Sequence, residues 1–142
     1  MEIKCPNLEQ LPVAVERFLP FLKEYRQILF YGEMGSGKTS FIGELFKQIG
    51  VADFNGSPTY SLVNEYDTPL GTFHHLDLYR VEREEELFDI GLIEQLESSD
   101  FFLIEWPQLV EDYVDEKHLS LYFSLDAEMG RIISLKEAGK EL

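Results

Sequence analysis

The sequence holds a single cysteine, Cys5, only five arginines, and no apolar stretch approaching the ~18 residues of a membrane-spanning helix. One cysteine can neither close an internal disulfide nor build a thiolate metal site, which points to a reducing compartment. The N-terminal stretch MEIKCPNLEQLP lacks the apolar core of a secretion signal, so the expected location is the cytoplasm. Positive charge is scarce as well. Twelve Lys plus Arg stand against 27 Asp plus Glu, leaving a net charge of −15 and a pI near 4.4. Such a balance opposes free binding to a phosphate backbone or an anionic membrane. If the protein works on RNA, another component has to hold the RNA.

What is present is the material of a globular core. Hydrophobic residues make up 44% and aromatics 13% of the 142 residues, and a chain of this size buries roughly 70% of its unfolded surface. The length suits one domain, expected to span residues 1–142. After an extended start, residues 8–22 place Leu11, Val15, Phe18, Leu19 and Leu22 on one helical stripe, with Pro12 in the first turn and Pro20 near the end. Gln27 to Tyr31 reads as a short buried strand, and Lys38 to Ile49 as a helix with Phe41, Leu45 and Ile49 on one side and Gly50 as terminator. Residues 61–67 and 71–79 read as a β-hairpin around Thr-Pro-Leu, followed by helix-prone segments at 82–88 and 92–96. Phe101 to Glu105 reads as a buried strand ending in a carboxylate, and residues 118–125 and 131–136 as strands around a turn.

Between the first buried strand and its helix lies Gly32-Glu33-Met34-Gly35-Ser36-Gly37-Lys38-Thr39. This is the complete phosphate-binding pattern of Gly, four residues, Gly, Lys and Ser or Thr. Its glycines let successive N–H groups turn inward onto phosphates, and the helix N-terminus adds its positive end. The candidate phosphate-binding residues are Gly32, Gly35, Ser36, Gly37, Lys38, Thr39 and Ser40, with Lys38 meeting the β and γ oxygens of a nucleotide and the Thr39 hydroxyl on Mg²⁺. A strand-end acid normally completes such a metal site. Glu105 is the first candidate, the alternative being a residue that merely reaches solvent. Asp77 is the second; period-two geometry puts it on a polar face with His75 and Tyr79, and the alternative is an Asp paired with Arg80 at a turn. His74 and His75 are adjacent on a strand and point to opposite faces, so they do not readily chelate one ion. Ser57-Pro58-Thr59-Tyr60 sits where a loop can sense a γ-phosphate, or is a turn before a strand. Trp106 and Pro107 fit either strand termination or a surface offered to a partner.

The segments GEMGSGKTSF, SPTYSLVNEY, HHLDLYR and FLIEWP, in this order over roughly residues 6–136, resemble the TsaE (formerly YjeE) family of bacterial ATPases. That resemblance implies an Mg²⁺-dependent ATPase required for threonylcarbamoyladenosine (t6A) at position 37 of tRNA, acting as nucleotide-driven accessory to the TsaB and TsaD proteins. It implies tRNA contact only through that complex and no membrane partner. It also implies that Gly35 to Ser40 surround the phosphates, that Thr39 and Glu105 surround the metal, that Asp77 is an activity residue and that Thr59 belongs to a switch-like loop. Met34 and Ser40 stand where the family often has Leu and Thr, both conservative changes, and Gly130-Arg131 matches a family Gly-Arg pair.

A small-molecule kinase is the alternative, since the same loop and strand-end acid serve phosphoryl transfer. Against it, the five arginines form no arginine-rich lid that would clamp a transferring phosphoryl group. A nucleotide-gated binding module is the third reading. The expected fold is a three-layer α/β phosphate-loop NTPase fold with a mixed parallel and antiparallel sheet, the hairpin at 61–78 adding antiparallel pairing beside parallel strands.

Overall fold

The computed structural model describes residues 1–56, 58, 62–138 and 140–142. Among the described residues eight strands form one sheet: β1 (Glu2–Cys5), β2 (Gln27–Tyr31), β3 (Val63–Thr68), β4 (Gly71–Asp77), β5 (Phe101–Glu105), β6 (Leu119–Leu125), β7 (Arg131–Glu137) and β8 (Lys140–Glu141). Their order is β1-β7-β6-β2-β5-β4-β3, with β8 also pairing β7. Strand β2 runs parallel to both β5 and β6, and β4 runs parallel to β5, while β3–β4, β6–β7, β1–β7 and β7–β8 are antiparallel. The parallel centre is buried on both sides and therefore reads as unbroken apolar runs, Ile28-Leu29-Phe30 and Phe101 to Ile104.

Alternate residues of these central strands feed two separate cores. Ile28, Phe30, Phe73, Phe101 and Leu103 pack with helices α1 (Leu11–Phe18) and α2 (Lys38–Gln48) around Phe18, Phe41 and Phe46. Leu29, Leu76, Phe102 and Ile104 face the other way, onto α3 (Glu84–Asp89) and α4 (Leu92–Gln95) through Leu87 and Leu92. The result is three layers with the sheet in the middle. Buried Gln27 ties the second face together, its Nε2 donating to the Leu96 carbonyl at 2.8 Å and its Oε1 accepting the Asp115 N–H at 2.7 Å.

Several elements depart from the sequence reading. The stripe at 8–22 is one α-helix only over Leu11–Phe18, flanked by 3₁₀ turns at Leu8–Gln10 and Leu19–Lys23. Pro20 falls in the second of these turns, as expected of a residue with no N–H to offer. The extended start is strand β1, whose Glu2 to Cys5 pair with Ser134 to Arg131. Antiparallel pairing thus arises at both edges of the sheet and not only from the β3–β4 hairpin.

Candidate functional site

The site sits at the carboxyl ends of β2, β4 and β5. Leaving β2, the chain turns through Gly32, Gly35 and Gly37, all at positive φ, and enters α2 directly at Lys38. Gly37, at φ 104°, is the residue before the helix. A Cβ on Gly37 would collide with the Arg131 side chain, whose Nε donates to the Ser36 carbonyl at 3.1 Å. The first N–H groups of α2 have no partner within the helix and form a positive end toward the loop. Lys38 is buried, yet its ammonium donates to the Gly32 carbonyl and lies 3.6 Å from the centroid of the Trp106 ring. Burial pulls its pKa below the ordinary lysine value, opposed by the negative charges of Glu105 and Asp77.

Alternation along β5 puts Glu105 on the α2 side with Phe101 and Leu103, and the parallel register sets it beside Asp77 of β4. Glu105 is only 2% exposed, so it is not a strand end reaching solvent. Its Oε1 accepts the Thr39 hydroxyl at 2.8 Å, and its Oε2 lies 2.6 Å from Nε2 of His75, itself fully buried. Two hard oxygen groups from β5 and α2 therefore meet beside the phosphate loop, the donor set that suits Mg²⁺ when substrate phosphates supply the rest. Asp77 lines the same cleft with Lys38, Thr39 and Trp106. Its Oδ1 accepts the Tyr79 N–H at 3.1 Å, and no ion pair joins it to Arg80.

The histidines do point to opposite faces. His74 pairs with Asp100 at 2.9 Å and stacks on Phe102, whereas His75 is walled by Phe46 and Phe54 on the α2 side. Thr59 and most of the SPTY segment lie outside the described residues. Trp106 adopts a left-handed backbone (φ 56°, ψ 58°) and packs on Tyr79 with ring centroids 4.9 Å apart. Strand termination and site formation are thus the same event.

Two residues at the site were not legible as such. Arg131 reaches the loop from 95 positions along the chain, and the Gly130-Arg131 pair was the one sequence signal for it. For His75 the sequence shows a place on the polar face with Asp77 and Tyr79 and no ready chelation with His74, while its actual partner, Glu105, is 30 positions away.

A glycine loop joining a central parallel strand to a helix, with a buried acid at the end of the neighbouring strand, defines the class: an α/β fold of the phosphate-loop NTPase type. A crystal structure of Bacillus subtilis YdiB has the same fold, with a TM-score of 0.74, 20% identity, and coverage of 98% of this chain and 86% of that one. The family model for threonylcarbamoyl adenosine biosynthesis protein TsaE matches residues 5–133. A tRNA threonylcarbamoyladenosine biosynthesis protein TsaE from Borreliella burgdorferi is 43% identical over 106 residues, covering 73% of this chain and 76% of the relative. The protein of the same name from Rickettsia bellii is 39% identical over 104 residues (72% of each chain), and that from Bacillus subtilis 27% over 133 residues (94% and 83%). The chain belongs to the TsaE family. No helix among the described residues is long and apolar enough to cross a membrane.

Proposed function

We propose that this protein is an Mg²⁺-dependent ATPase that serves threonylcarbamoyladenosine modification of tRNA as the nucleotide-driven accessory of the TsaB and TsaD proteins. The observation that carries the reading is the 2.8 Å contact between Thr39 Oγ1 and Glu105 Oε1 beside the glycine loop and Lys38. The loop from Gly32 to Ser40 would bind the phosphates through its N–H groups, and Lys38 would leave the Gly32 carbonyl and Trp106 for their oxygens. Thr39 and Glu105 would hold Mg²⁺, which when bound offsets the charge of the phosphates and of the transition state. Asp77, level with Glu105 on the adjacent strand, orients the attacking water. Its backbone-bonded carboxylate is held rather than swinging, which suits positioning. The net charge of −15 makes tRNA a ligand of the complex and not of this chain alone.

Thermal unfolding with ATP and Mg²⁺ tests the binding half. A ligand at 100 times its dissociation constant adds about 2.7 kcal/mol, and Lys38→Ala should remove most of that gain; an equal shift in the variant overturns the assignment of the loop. Turnover tests the other half. Hydrolysis by the protein alone should be slow and should rise when TsaB and TsaD are added. Phosphorylation of a sugar, nucleoside or acid by the protein alone at ordinary kinase rates would favour the kinase instead.

A further inference from the structure

His75 is a polar ring in an apolar place. It is fully buried, its ring centroid lies 5.7 Å from that of Phe54 and 6.4 Å from that of Phe46, and its Nδ1 has no hydrogen-bond partner among the described residues. An unpartnered buried nitrogen costs stability, of order 1–3 kcal/mol, and a leucine or phenylalanine would fill the same wall without that cost. Among the described residues, the one polar contact the ring makes is the 2.6 Å hydrogen bond from Nε2 to Glu105 Oε2. A carboxylate only accepts, so Nε2 carries the proton and donates. That bond ties down one oxygen of Glu105 on the interior side and leaves the other, Oε1, turned toward Thr39.

We propose that His75 is a positioning residue for the metal site: by holding Oε2 of Glu105 it sets the carboxylate in the one orientation that presents Oε1 beside the Thr39 hydroxyl to Mg²⁺. This rests on the ATPase reading above. The geometry favours the role because β4 and β5 are neighbours in parallel register, His75 pairing Leu103 and Asp77 pairing Glu105. Both side chains lie on the α2 face, so a single strand supplies His75 to anchor the acid and Asp77 to work beside it. Groups that orient a metal ligand through its second atom commonly change metal affinity by about 10–100-fold when removed.

Two near-isosteric amides separate this role from mere packing. In His75→Gln the amide nitrogen falls where Nε2 was and can donate to Glu105; in His75→Asn it falls where Nδ1 was and cannot. The measurement is nucleotide binding across an Mg²⁺ titration, with ADP binding in EDTA alongside and thermal unfolding of each nucleotide-free variant. His75→Gln should keep the Mg²⁺ half-saturation within about threefold of the parent, while His75→Asn should raise it by about tenfold or more, both with ADP binding in EDTA unchanged. Equal Mg²⁺ dependence in the parent and in His75→Asn overturns the proposal. So does a His75→Gln variant that loses Mg²⁺ and EDTA-stable binding together, which would mark His75 as part of the packing alone. If His75→Asn does not fold, His75→Leu takes its place, filling the same apolar wall without a donor: a rise of about tenfold in Mg²⁺ half-saturation with intact ADP binding supports the role, and the parent's Mg²⁺ dependence overturns it. A parent protein without Mg²⁺-dependent binding overturns the ATPase reading and this inference with it, whereas normal parent behaviour with indifferent variants overturns this inference alone.

Discussion

Replacing Gly37 by alanine tests whether the phosphate loop and Arg131 are built as one unit. At φ 104° and ψ 11°, Gly37 is in a left-handed conformation that costs an L-residue about 1–2 kcal/mol. An added Cβ would also run into Nε and Cδ of Arg131, so the guanidinium has to leave the Ser36 carbonyl. A hydrogen bond of this charged kind is worth about 1.5–3 kcal/mol, and the lower end applies because Arg131 is partly exposed and can turn to water. The nucleotide-free Gly37→Ala protein should therefore lose about 3 kcal/mol, by the costs of left-handed backbone and of a lost charged hydrogen bond. Gly35→Ala is the control: φ is +80° there, and nothing lies within 4 Å of the added Cβ, so only the strain of about 1–2 kcal/mol should appear. Urea unfolding reads both, with Arg131→Ala introduced into each background. Arg131→Ala should cost little on top of Gly37→Ala and its full amount on top of Gly35→Ala, the non-additivity expected of groups in contact. Equal losses in the two glycine variants, or strict additivity of Arg131→Ala in both, would refute the coupling.

The lone tryptophan makes the lysine visible: with Lys38 Nζ 3.6 Å from the Trp106 centroid, ATP with Mg²⁺ should change the indole emission by drawing the ammonium away. An emission change of the same size in Lys38→Ala would count against this. Glu105→Gln keeps shape but loses charge and should flatten the Mg²⁺ dependence of nucleotide binding, whereas Asp77→Asn should bind normally and turn over more slowly. Binding and single-turnover rates across an Mg²⁺ series distinguish them, and the reverse pattern would exchange their roles. Away from the site, the Tyr25 hydroxyl donates to Glu137 at 2.7 Å, and burial, with that carboxylate, pushes its pKa from 10 up to about 12. Its contribution is complete below pH 10 and is lost as the pH climbs toward 12. Melting curves of the parent and Tyr25→Phe should therefore converge across that interval, and a constant gap would show that the phenol does not titrate as argued.

The legible parts of the molecule were those whose meaning is local. Strand β2, the glycine loop and α2 are contiguous, and each follows from its own residues: an apolar run, φ-permissive glycines, then a repeat of Phe41, Leu45 and Ile49. Glu105 was legible because a carboxylate closing an apolar run has to meet a cation or a donor. Strand β1 was legible only as an extended start, since the alternation in Glu-Ile-Lys-Cys is four residues long and becomes a strand by pairing with the edge of β7. Arg131 arrives through the β6–β7 hairpin, and strand order, which brings that hairpin beside β2, depends on crossovers that leave no mark in any one segment. His75 shows the limit best. Its alternation on β4 placed it on the correct face, yet only the β4–β5 register reveals that Glu105 is what it touches.

The left-handed backbone at Trp106 has a consequence for any attempt to improve the protein by selection. A bulky residue at positive φ is held against its own preference at a cost of about 1–3 kcal/mol, while glycine would adopt the same angles without strain. A library selected for heat resistance alone should thus admit glycine at 106 beside tryptophan, since the relieved strain is of the same order as the lost packing of the indole on Lys38, Tyr79 and the α3–α4 core. Selection that also demands function should return tryptophan or another aromatic. The identity of residue 106 in the survivors would then report which of the two pressures governed the experiment.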